Sequence, residues 1–122
     1  MKPDDGFIIG RLKSTIYAVK GLWILIWTEH SFMFHGTISI ILLVLGFYNN
    51  LTPTEWGLQI LAVGLIMVAE ALNTAIEKLA NHIEPNYHKT IGIIKDVGAG
   101  AVLVALFAEV AIVALIYVPR FW

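Results

Sequence analysis

The sequence predicts an all-α membrane protein, an N-terminal amphipathic surface helix followed by three transmembrane helices, all in a single domain over residues 1–122. Two observations carry this. Hydrophobic residues fill 58% of the 122 positions and charged residues only 14%, against about 45–50% and about 25% in soluble domains. The apolar residues are also grouped into stretches long enough to cross a bilayer, which takes about 20 residues each. The composition excludes a disordered tail, and the length excludes a large enzyme with separate cofactor and substrate domains. A net charge of -1 offers no attraction to nucleic acid, and no such partner is expected. The absence of cysteine excludes disulfide frameworks and thiolate chemistry.

Residues 1–28 form the surface helix in this reading. Ile8, Leu12, Ile16, Val19, Trp23 and Ile26 recur at steps of three and four, while Lys13, Tyr17 and Lys20 gather on another side. Such a helix lies in the membrane interface, apolar face in lipid and cationic face toward anionic headgroups or a polyanionic ligand. Acids and Pro3 stand where a signal peptide wants a basic region, so no cleavage is expected.

Span one, residues 31–48, sits inside the 25 residues between Glu29 and Glu55 that contain no Lys, Arg, Asp or Glu. Asn49 to Thr54 reads as a tight turn, with Thr54 expected to cap a helix starting near Trp56. Span two, 56–80, continues until Glu84-Pro85-Asn86 breaks it. Span three, 95–118, is interrupted only by Glu109, for which a neutral packing or hydrogen-bonding role is expected. Gly98, Ala101, Ala105 and Ala108 mark its face for close helix packing.

Basic residues set the orientation, because Lys and Arg near span ends stay on the cytoplasmic side. Lys2, Arg11, Lys13 and Lys20 precede span one, and Lys78, Lys89 and Lys95 surround the second connection. The turn between spans one and two has none. The N-terminus and the 81–95 connection are therefore expected inside and the C-terminus outside. Tyr48, Trp56, Tyr117 and Trp122 would then form an outer aromatic belt, and Trp23 and Trp27 an inner one.

Carboxylates within a membrane segment are costly and mark functional positions. Glu70, Asn73, Thr74 and Glu77 share one face of span two, extended by Asn81, and the opposite face is apolar. Two carboxylates with an amide between them exceed what helix packing needs. Glu77, toward the cytosol, could hold Mg²⁺ carried by a nucleotide, and Glu29 opens span one at the same level. Glu70, about 10 Å deeper along the helix, could meet the hydroxyl of a lipid held in the bilayer. Lys95 suits a phosphate. A proton or cation pathway is the competing use of these acids. No P-loop and no H-E-x-x-H spacing is present, and the histidines other than His88 read as interfacial polar residues.

The segment Glu70-Ala-Leu-Asn-Thr-Ala-Ile-Glu77, followed by Tyr87-His88 and then Lys95-Asp96-Val-Gly-Ala-Gly-Ala, resembles the signature of the bacterial integral-membrane diacylglycerol kinase family. Tyr17-Ala-Val-Lys-Gly21 and Glu29 resemble its N-terminal part, so the likeness covers nearly the whole chain. The resemblance implies a homotrimer of three-span subunits in the bilayer, transferring the γ-phosphoryl group of ATP to diacylglycerol to give phosphatidic acid. Undecaprenol is the alternative acceptor, and a small proton- or cation-coupled transporter a more distant alternative. It further implies Glu70 as catalytic base, Asn73 as support of the catalytic face, and Glu29 and Glu77 as Mg²⁺ ligands. Arg11, Tyr17, Glu29, Glu77, Asn86, Tyr87, His88, Lys95 and Asp96 would surround the ATP, with Glu70 and Ala99 beside the lipid. Asn81 stands where the family pattern usually has an aspartate. Phe34-His35-Gly36 stands where some relatives are more polar.

Overall fold

In the computed structural model, residues 4–86 and 88–122 are described, and they fold as four α-helices: α1 Phe7–Thr28, α2 His30–Tyr48, α3 Pro53–Ile83 and α4 Lys89–Phe121. Helices α2, α3 and α4 are each long and apolar enough to cross a membrane. With 31 and 33 residues, α3 and α4 rise about 46 and 50 Å, more than a hydrocarbon core of about 30 Å, so their ends project beyond it.

Local chemistry fixes where the helices begin. Thr52 Oγ1 accepts from the Glu55 backbone N–H at 3.2 Å, and Glu55 Oε1 accepts from the Thr52 N–H at 3.0 Å. This reciprocal cap, with Pro53 in the first helical position, satisfies two otherwise orphaned donors. The start expected near Trp56 with a Thr54 cap is therefore corrected to Pro53 with Thr52. The preceding turn places Asn50 at φ 50°, a left-handed conformation that asparagine tolerates better than most residues. At the other connection, His88 Nδ1 accepts from the Thr90 N–H at 3.2 Å and caps α4. Lys95 consequently lies in the second turn of that helix instead of at its start.

The most extensive packing joins α3 to α4, with α2 against α3. Gly98, Ala105 and Glu109 are buried along one side of α4, whereas Ala101 of the expected small-residue stripe is exposed. On α2, Gly46 allows close approach: a Cβ there would stand 2.7 Å from Trp56 Cη2. Leu42, Leu51, Ile116 and Tyr117 form the core at this end. Within it, the Tyr117 hydroxyl donates to Gln59 Oε1 at 2.6 Å, and Gln59 Nε2 donates to the Leu42 carbonyl at 3.0 Å. Tyr117 thus leaves the expected aromatic belt: it sits a full turn inside the end of α4, on the buried side. Tyr48 and Trp122 remain exposed. Arg120 closes this end by bridging Glu55, at 2.6 and 2.8 Å, and the Asn49 carbonyl at 3.3 Å.

Helix α1 is different. Only Gly10 is buried in it, and Ile8, Leu12, Ile16, Val19 and Trp23 are exposed together with Lys20. It separates from α2 at Glu29, whose extended backbone (φ -108°, ψ 110°) breaks the helical run without a proline or glycine.

Candidate active site

The face expected on span two exists and is graded in exposure. Glu70 and Thr74 are buried, Asn73 is half-buried, and Glu77 and Asn81 are exposed. The helical repeat explains the alignment. The gradient follows from the neighbours, which enclose α3 in its middle and open toward the 84–88 connection.

Glu70, 5% exposed, faces α2. Its Oε2 lies 3.5 Å from His35 Nε2, and both side chains are largely enclosed. His35 is therefore no interfacial residue, and its expected role is corrected. It stands on the same stripe as the buried Phe32, Ser39, Leu42 and Gly46, at alternating steps of three and four that were legible as an inward face. Ser39 Oγ donates to the His35 carbonyl at 2.8 Å.

Asn73 faces α4. A Cβ at Gly98 would collide with Asn73 Oδ1, so the glycine is what admits this amide between the helices. Asn73 Oδ1 is buried and has no hydrogen-bond partner, a condition shared among the described residues with His35 Nδ1 and Glu109 Oε2. Buried polar atoms without partners are costly and cluster where a ligand, water or proton is to be received.

Glu29 pairs with Lys78 of α3 at 2.9 Å, on the flank next to the Glu70 face. Glu77 is exposed one helical position away from that lysine. Among the described residues no three His, Asp or Glu side chains converge as a metal-holding group. Magnesium bound through a nucleotide needs only one or two carboxylates, because phosphate oxygens and water complete its shell. The exposed Glu77 meets that demand at this end, with the half-buried Glu29, paired with Lys78, as the second carboxylate.

Beyond Glu77, the connection between α3 and α4 closes a cleft of about 240 Å³ lined by Glu84, Pro85, Asn86, His88, Gly92 and Lys95, among others. Lys95 Nζ donates to Asn81 Oδ1, which anchors the cation without neutralising it. The structure so gathers Asn86, His88 and Lys95, while Tyr87 lies outside the described residues. Asp96 and Ala99 are exposed on α4. Arg11 and Tyr17 are exposed on α1; Arg11 stands over the Phe7 ring at 5.9 Å.

Residues 16–117 match the model of the prokaryotic diacylglycerol kinase family. The chain is 35% identical to the undecaprenol kinase of Bacillus subtilis over 108 residues, 88% of each sequence. It is 33% identical to the diacylglycerol kinase of Escherichia coli K12 over 102 residues, 81% of each, and 34% identical to that of Haemophilus influenzae over 95 residues, 78% of this chain and 80% of the relative. The match takes in the Glu70–Glu77 face, the Lys95 cleft and all three apolar helices, and the chain belongs to the prokaryotic diacylglycerol kinase family.

Proposed function

We propose that the chain is an ATP-dependent lipid kinase that transfers the γ-phosphoryl group of ATP to the hydroxyl of diacylglycerol, giving phosphatidic acid. The observation that carries this is a buried carboxylate, Glu70, on the same face of α3 as the accessible Glu77 and as Asn81, which holds the Lys95 cation of α4. Asn81, which holds Lys95, lies about 16 Å along α3 from Glu70. An ATP seated among Asn86, His88 and Lys95 would extend its phosphates along that face past Glu77.

Phosphoryl transfer asks mainly for positioning and charge neutralisation, which needs neither a P-loop nor a kinase fold. Lys95 supplies a fixed positive charge at the phosphates. Glu29 and Glu77 would hold Mg²⁺, with Glu29 exchanging its bond to Lys78; the ion neutralises phosphate oxygens when bound. Glu70 accepts the acceptor hydroxyl's proton, Asn73 supports it from the α4 side, and the bilayer holds the lipid at that depth. The cleft faces the cytoplasm in this reading, in the inner membrane. A homotrimer fits the uncovered α1, since a neighbouring subunit would bring Arg11 and Tyr17 toward the nucleotide.

Glu70→Gln is expected to lose turnover, on the order of 10²-fold or more, while keeping ATP binding. Glu77→Gln is expected to weaken MgATP binding. Near-wild-type turnover in both variants would overturn the assignment. Undecaprenol is the second reading, favoured by the 35% identity to an undecaprenol kinase; side-by-side turnover on the two lipids in mixed micelles separates them.

A further inference from the structure

Each membrane-crossing helix sends one ionisable group to the same interior region: His35 from α2, Glu70 from α3 and Glu109 from α4. Glu70 and Glu109 are 5% and 4% exposed. His35 Nε2 faces Glu70 at 3.5 Å, and the ring lies near enough to Glu109 to act on it electrostatically. Two atoms of this group, His35 Nδ1 and Glu109 Oε2, are buried without partners. They are chemical complements, because a carboxylic acid O–H donates and an imidazole nitrogen accepts.

We propose that His35 is a positioning residue for Glu70, its Nε2–H donating to one carboxylate oxygen and leaving the other free for the acceptor hydroxyl, while Glu109 meets Nδ1 and fixes the tautomer. The inference rests on the reading of Glu70 as the base. The present 3.5 Å separation must close by about 0.6 Å to reach an ordinary hydrogen bond, and such contacts commonly tighten only in the substrate complex. A carboxylate tethered through one oxygen loses the freedom to turn both toward the same donor, which is how a supporting hydrogen bond orients a reacting group.

The test compares kcat and KM for ATP in the wild type, His35→Gln, His35→Leu and Glu70→Gln, with ATP binding measured on each. His35→Leu is expected to lower kcat on the order of 10²-fold, with KM for ATP within about twofold. His35→Gln, which keeps an N–H donor, should recover about tenfold of that loss. A structural role alone would lower thermal stability, and the retained donor would not rescue kcat. Wild-type kcat in His35→Leu, or equal losses in both His35 variants, overturns the proposal. Turnover retained in Glu70→Gln would instead overturn the base assignment itself.

Discussion

Substituting Gly98 by alanine tests the role of Asn73 without touching a charged group. Two stability effects oppose each other. Alanine in place of glycine inside a helix gains about 0.5–1 kcal/mol. Against this, the new Cβ would overlap Asn73 Oδ1, the end of a side chain whose last torsion is broad, so turning the amide aside costs no more than about 1 kcal/mol. The two nearly cancel. The displaced oxygen, however, must retreat by about 1 Å, and a misplacement of that size in a reacting array costs up to about 10²-fold in rate. Gly98→Ala should therefore unfold at nearly the wild-type temperature while kcat for lipid phosphorylation falls at least tenfold. Initial rates with labelled ATP in mixed micelles, alongside thermal unfolding in the same detergent, measure both. Gly100→Ala is the control, since nothing lies within 4 Å of its Cβ position. A kcat for Gly98→Ala within twofold of the control would refute the reasoning.

Tyr117→Phe strands Gln59 Oε1 in a buried site and should cost about 1–3 kcal/mol in thermal unfolding, most of it recovered by adding Gln59→Leu. Thr52→Ala removes the cap of α3 and should destabilise by about 1 kcal/mol with kcat unchanged. Lys95→Met should raise KM for ATP at least tenfold, and Asn81→Leu, which frees the lysine without discharging it, should raise it less; the reverse order in steady-state kinetics would contradict Asn81 as its anchor.

The sequence was readable where one helix carried its own pattern. The Glu70–Glu77 face, the charge-free first span and the break at Glu84-Pro85 all follow from periodicity within a segment, and each reappears in the fold. Thr52-Pro53-Thr54-Glu55 also holds a complete capping signature, in which the proline that favours a first helical position outranks the threonine nearest the apolar run. His35 and Tyr117 were misread for a shared reason. Each lies near a span end in sequence, where polar and aromatic residues usually meet headgroups, and only the facing partner decides otherwise. Those partners, Glu70 and Gln59, lie 35 and 58 residues away. No local pattern encodes such a pairing, although the α2 stripe from Phe32 to Gly46 did mark His35 as inward.

The break at Glu29 makes α1 a lever. Twenty-two residues give it an arm of about 33 Å, so a rotation of about 10° at Glu29 sweeps its far end through about 6 Å. Glu29 is both the pivot and the group fastened to Lys78 of α3. The Glu29–Lys78 pair therefore sets where Arg11 and Phe7, toward the far end of the arm, come to stand.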